Sequence, residues 1–235
     1  MKATTTAAIT APAAAVAAIA WTPCDAGLEC AKVPVPMDWM NPTREKIQLA
    51  VIRHKASKPG QRIGAIFINP GGPGDTGAGL VKSAADDLDA WGGGRFDIVS
   101  WDPRGTHGSS PIHCFTDDAA EAAFWKDAEV PYTQADSVAY QQRMLDLARR
   151  CGEVMGPLLS HVSTADTARD LDALRAGIGE EKITYAGLSY GTVLGQTYLN
   201  MFPQHVRAMM LDSIVDAVPY TQSAEDRQRA RSSAD

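Results

Sequence analysis

The sequence predicts an α/β fold built on a mostly parallel sheet with helices on both faces. Three observations predict it. Apolar, strand-like runs such as "RIGAIFIN" and "RFDIVSW" alternate with amphipathic stretches such as "STADTARDLDALRAGIG". Three of the runs end in unusual turns, "NPGGPGDTG", "WDPRGTHGSS" and "GLSYG". The composition, 45% hydrophobic and 21% charged over 235 residues, is that of a globular chain able to bury a sizeable core.

The elements follow in order. Residues 1–20 read as a secretory leader or a disordered tail: Lys2 precedes an Ala-rich apolar stretch that closes on Ala18-Ile19-Ala20, an A-x-A site, while threonines and Pro12 interrupt it. The unbroken run from Ala13 to Trp21 is far short of the roughly 20 residues that span a bilayer, so no membrane anchor is expected. The core is expected over 21–220. Within it, "KIQLAVIRHKA" and "RIGAIFIN" read as strands, and "GAGLVKSAADDLDAWGGG" as a helix closed by three glycines. "RFDIVSW" is a buried-type strand. Residues 115–162 are acidic and mixed, with a helix from about Gln134 to Cys151. The next helix takes Ser163 or Thr164 as N-cap and stops at Gly177 or Gly179. A strand then leads into "GLSYG", a helix follows, and a last strand runs from about Val206 to Leu211. The charged, helix-prone residues 221–235 read as the start of a helical lid.

Several classes of function are excluded. The net charge of −6 offers no basic stripe to neutralise phosphates, so nucleic acid is not an expected partner. No G-K-[ST] pattern and no metal-ligand spacing occurs, so no cofactor and no metal are expected. Cys24 and Cys30 flank "DAGLE", while Cys114 and Cys151 bracket the mixed region. Neither pair has C-x-x-C spacing. An even count suits two disulfides and a secreted or extracytoplasmic setting, the alternative being four buried thiols.

In parallel sheets ligands bind beyond the carboxyl ends of the strands, where the three turns fall. "GLSYG" has the G-x-S-x-G form of a sharp strand-to-helix turn, in which Gly187 and Gly191 permit close backbone approach and Ser189 stands exposed at the apex. The positive end of the following helix and the amide of Tyr190 would stabilise an oxyanion there. "GGPG" at the end of the neighbouring strand frees backbone amides at Gly71 and Gly72 to complete such a site, with Pro73 stiffening the loop. "WDPRGTHGSS" reads as support, with Asp102 and Arg104 bonding backbone and each other.

Taken in this order and spacing, "NPGGPG", "WDPRGTHGSSP" and "GLSYG", together with "WTPC…LECAKVPVPMDW", resemble the α/β-hydrolase family of tripeptidyl and prolyl aminopeptidases, in particular its secreted actinobacterial-type members. The likeness runs from Trp21 to Asp235. It implies an α/β-hydrolase fold with Ser189 as nucleophile and the amides of Gly72 and Tyr190 as oxyanion hole. The implied substrate is a peptide with a free N-terminus, or a related ester or amide. Two positions depart from the family pattern: His107 stands where D-x-R-G-x-G-x-S has its second glycine, and Thr76 replaces a common serine.

A serine needs a base and a group that orients it. The family's chain order is serine, acid, histidine. His205 is the only histidine after Ser189, and a helix of about ten residues would carry it roughly 15 Å from the nucleophile at 1.5 Å per residue. His107 lies on a carboxyl-end loop and can line the pocket, but it precedes the serine. The returning strand brings Asp212 back beside the elbow, as a possible triad acid or a loop-bracing carboxylate. The family places its acid and histidine later, after a lid and further strands. The expectation is therefore an α/β-hydrolase core truncated before the lid and last strands, completed by further polypeptide or by a C-terminal partner chain. The alternatives are a carboxylesterase or lactonase of the same fold, and a catalytically incomplete fragment acting as a subunit or binding module.

Overall fold

The computed structural model describes residues 17–217, apart from 26, 127 and 129. The expected lid helix at 221–235 and most of the leader or tail lie outside the described residues. Ile19, near the end of that stretch, donates its amide to the Gly177 carbonyl (2.9 Å) and packs against the core.

Seven strands form one sheet in the order β1-β2-β3-β5-β4-β6-β7: β1 Thr22–Asp25, β2 Leu28–Pro36, β3 Lys46–His54, β4 Gly64–Asn69, β5 Phe96–Trp101, β6 Ile183–Leu188 and β7 Val206–Asp212. The four strands β5-β4-β6-β7 are parallel, as expected for strands joined through helices. All six residues of β4 are buried, which is why it reads as a continuous apolar run. The remaining three strands form an antiparallel ribbon on the β5 side. Of these, β1 and β2 were not foreseen, because Pro23, Pro34 and Pro36 break the usual strand pattern.

Helix α1 (Gly77–Trp91) covers one face, with Val81 and Leu88 set against Ile52, Ile66, Ile68 and Ile98. On the other face α4 (Thr164–Gly177) and α5 (Tyr190–Met201) bury Leu171, Leu174, Leu194 and Tyr198 against Val35, Leu49, Phe67 and Trp101. Capping follows the sequence: Thr76 accepts from the Gly79 amide to start α1, and Ser163 accepts from the Asp166 amide to start α4.

The mixed region holds α2 (Asp118–Trp125), unforeseen, and α3 (Gln134–Leu159), longer than expected. Helix α3 continues past Cys151 through a kink at Met155 and over Pro157. Both helices are largely exposed. A disulfide between Cys114 and Cys151 ties the excursion together, and Cys24–Cys30 closes the turn between β1 and β2.

Candidate active site

The carboxyl ends of β4, β5 and β6 meet at one place. In the β4–β6 ladder Asn69 pairs with Gly187, so the loop after β4 and the turn after β6 leave the sheet side by side. Ser189 occupies that turn with φ +52° and ψ −122°, a conformation that costs a non-glycine residue about 1–3 kcal/mol and is held only by its surroundings. Its side chain is exposed.

The glycines around it are required by contact. A Cβ on Gly187 would stand 2.4 Å from the Gly191 carbonyl oxygen, and one on Gly191 would stand 2.6 Å from the Asn69 carbonyl oxygen. Strand end, elbow and helix start are thus pressed together at van der Waals limits. Gly71 (φ +104°) completes the arrangement. A Cβ there would meet the Leu188 carbonyl at 2.4 Å, Ser189 Cβ at 3.1 Å and the Tyr190 nitrogen at 3.1 Å. The Gly-Gly-Pro-Gly loop therefore lies against the serine and the first amide of α5.

Supporting side chains fix both partners. Buried Asn69 accepts the Gly71 amide on Oδ1 (3.1 Å), turning the start of the loop back on β4. Beneath the elbow, the buried Tyr185 hydroxyl donates to the Gly191 carbonyl (2.8 Å). Burial and the nearby Tyr190 push the Tyr185 phenol well above its ordinary value, so it stays a neutral donor. The Tyr190 hydroxyl meets Thr164 Oγ1 at 2.5 Å and joins the starts of α5 and α4.

The loop after β5 is scaffolding, but not in the way the sequence suggested. Asp102 and Arg104 do not bond each other. Asp102 accepts Thr76 Oγ1 (2.7 Å), the Ala78 amide (3.3 Å) and the Gly108 amide (3.0 Å), which locks the start of α1 to the Gly105–Ser109 turn. Thr76 thus serves as cap and as tether. Arg104, side chain fully buried, forks onto Asp170 of α4 at 2.7 and 2.5 Å and gives its other donors to the Pro36, Met37 and His161 carbonyls. Trp39 Nε1 also donates to Asp170 (3.1 Å). Burial pushes the Asp170 carboxyl up to about 6, against the opposing pull of the Arg104 hydrogen bonds and charge. His107 sits at φ +39°, the region that explains why a glycine is usual there, and its side chain is exposed.

Asp212 arrives where expected. It pairs with Leu188 in the β6–β7 ladder, and its carbonyl accepts the Ser189 amide (3.0 Å). His205 lies at the other end. It precedes Val206, which pairs with Ile183 at the start of β6, and its Nδ1 is 2.6 Å from Asp172 of α4. Asp172 also accepts Arg175 (2.8 Å) and the Tyr198 hydroxyl (2.9 Å). Burial opposes its charge, but these donors outweigh it and hold the carboxyl below its ordinary value. His54 is likewise remote, since it pairs with Ile98 near the start of β5.

Asn69, Asp170 and Thr192 were missed in the sequence. Only Asn69 carried a clue, its place directly before "PGGPG". Among the described residues no group of three His, Cys, Asp or Glu is placed to hold a metal, and no helix is long and apolar enough to cross a membrane.

Comparison with known proteins agrees with this geometry. The chain is 38% identical over 220 residues to the serine protease Hip1 of Mycobacterium tuberculosis, covering 89% of this chain and 42% of that protein. It is 40% identical over 219 residues to the tripeptidyl aminopeptidase of Streptomyces lividans, covering 89% and 41%. To carboxylesterase B of M. tuberculosis it is 42% identical over 192 residues, covering 80% and 36%. The chain thus spans about two fifths of the length of the curated relatives it matches. The model of the alpha/beta hydrolase fold matches residues 64–234, the stretch that carries all three turns, and the chain belongs to that family.

Proposed function

We propose that this chain carries the nucleophile and oxyanion half of a serine peptidase that cleaves peptide bonds near a free N-terminus. The observation that carries the reading is Ser189, held exposed in the left-handed region at a strand-to-helix turn with the Gly-Gly-Pro-Gly loop packed on it. The Ser189 hydroxyl attacks the carbonyl carbon, an acyl-enzyme forms as the amine leaves with a proton, and water then releases the acid. The negative oxygen of each tetrahedral state is received by the amides of Gly72 and Tyr190. Asn69 has already taken the Gly71 amide, which makes Gly72 the next donor of the loop, and Tyr190 opens α5 at its positive end.

The base is a histidine outside residues 17–217, carried by further polypeptide of the same chain or by a partner that completes the fold. This reading rests on His205 and His54 lying toward the amino ends of the parallel strands β6 and β5, away from the elbow. Asp212 braces the elbow through its backbone. The two disulfides support an extracytoplasmic location, where such bonds persist. Peptide cleavage is favoured by the names of two relatives, serine protease and tripeptidyl aminopeptidase.

Carboxylesterase B supports a second reading in which an ester is the substrate. Steady-state rates on a tripeptide arylamide, its N-acetylated form and an aryl ester decide between them. The proposal expects turnover of the free tripeptide and loss of at least about 10²-fold in kcat/KM on acetylation, the scale of one buried charged contact of roughly 3 kcal/mol. Turnover of the ester alone would favour the esterase. No turnover of any substrate by the complete polypeptide would leave a binding module.

A further inference from the structure

The strain at Ser189 has to be held, and the hydrogen bonds that hold it lead away from the site. The Ser189 amide donates to the carbonyl of Asp212, the last residue of β7 (3.0 Å). Its carbonyl accepts twice from Thr192, from the amide at 2.9 Å and from Oγ1 at 2.7 Å. Thr192 is fully buried. A hydroxyl has one proton to give; with that proton on Ser189, its lone pairs receive the Val215 amide (2.9 Å). One turn along α5, Gln196 Nε2 donates to the Val215 carbonyl (2.9 Å) and to the Thr192 carbonyl (3.1 Å). Both backbone groups of Val215 are therefore held by side chains four residues apart on α5, which bear on the same face. Between Asp212 and Val215 the chain turns through Ser213 at φ +55°.

We propose that Thr192, assisted by Gln196, is a positioning residue for the nucleophile, locking Ser189 and the Asp212–Val215 strap into one hydrogen-bonded ring. The proposal rests on Ser189 being the nucleophile. It goes further by making the direction of the chain that leaves β7 part of what holds the serine in place. Displacement of the strap is transmitted through a single hydroxyl to the carbonyl of Ser189. Whatever packs on the strap from polypeptide beyond it thus bears on the nucleophile without touching it.

The test compares Thr192→Val, Thr192→Ser and Gln196→Leu in the complete enzyme. Valine keeps the shape and deletes the hydroxyl; serine keeps the hydroxyl. Positioning predicts that Thr192→Val lowers kcat, and the rate of Ser189 inactivation by a fluorophosphonate, by about 10- to 100-fold with KM nearly unchanged, the scale of a nucleophile misplaced by an ångström or less. Thr192→Ser recovers most of that rate, and Gln196→Leu falls in between. Should Thr192→Val not fold, Gln196→Leu carries the test, with a fall of several-fold expected on the same scale. A purely structural role would lower the melting temperature while folded molecules kept wild-type kcat and inactivation rate, and that result overturns the proposal. A wild-type enzyme unreactive at Ser189 removes the nucleophile reading and this inference with it. A reactive wild type whose folded Thr192→Val and Gln196→Leu variants are equally reactive removes this inference alone.

Discussion

Strand β6 has a polar site at each end, and the two look like halves of one catalytic apparatus. At the amino end His205 and Asp172 lie 2.6 Å apart, the spacing of a base and its orienting acid. At the carboxyl end Ser189 stands exposed among backbone donors. The six residues of β6 separate them, roughly 20 Å at about 3.3 Å per residue. Short distance and the right residue types are thus insufficient evidence for a dyad. What distinguishes the ends is how each spends its stability. The amino end is satisfied: Asp172 is buried and accepts Arg175, Tyr198 and His205, and the His205 ring stacks on Phe202 with an interplanar angle of 6°. The carboxyl end holds a strained residue in solvent, which is where reactivity is built.

The contrast can be broken most sharply at the serine. Replacing Ser189 by Ala should cost the complete enzyme about 10⁴-fold or more in kcat, as for other serine nucleophiles. Ser189→Gly should also abolish turnover, yet raise stability by about 1 kcal/mol by relieving the φ +52° conformation, readable as an upward shift in Tm. Loss of stability in the glycine variant would mean that the turn is not strained.

Next in size is the buried pair behind the site. Arg104→Met or Asp170→Ala leaves one charge buried without its partner and should cost about 3–5 kcal/mol in denaturant unfolding. Combining the two should recover part of that loss, and strict additivity would contradict the pairing. By comparison the amino-end couple is minor. His205→Gln should cost about 1 kcal/mol of stability, the worth of one hydrogen bond, and leave kcat within about twofold. A large loss of turnover in this variant would move the active site to the wrong end of the sheet.

The smallest effect is in pH dependence, where two aspartates on one helix have opposite signs. Asp172 is held below its ordinary 3.8, so the stability it contributes is present above 3.8 and is lost as pH falls below 3.8 toward its lower folded value. Asp170 is raised to about 6, so its contribution is present below 3.8 and is lost as pH rises through 6. Thermal melts between pH 3 and 7 should show the acid-side loss shrink in Asp172→Asn, while the fall toward pH 6 remains.

Much of this was legible in the sequence because the relevant residues are constrained locally. The elbow glycines, the Ser163 cap and the buried run of β4 each follow from a contact or a period that a short window contains. Long-range polar pairing was not legible. Helix α4 buries Asp170 and Asp172 together with Leu171, Ala173 and Leu174, so its polar residues do not mark a solvent face. The sequence reading paired Arg104 with a near neighbour because nothing marks a partner 66 residues away. Thr192 was opaque for the same reason, since its second bond spans 23 residues. Strands β1 and β2 of the antiparallel ribbon escaped because their prolines argue against strands that, at this side of the sheet, tolerate them.

The central claim is that reactivity resides in Ser189 and nowhere else in this chain. Peptide mapping after reaction of the complete enzyme with diisopropyl fluorophosphate tests it most directly. The account predicts a single phosphorylated residue, Ser189, with labelling and turnover lost together in Ser189→Ala. Labelling at another residue, or turnover that survives in Ser189→Ala, would contradict it.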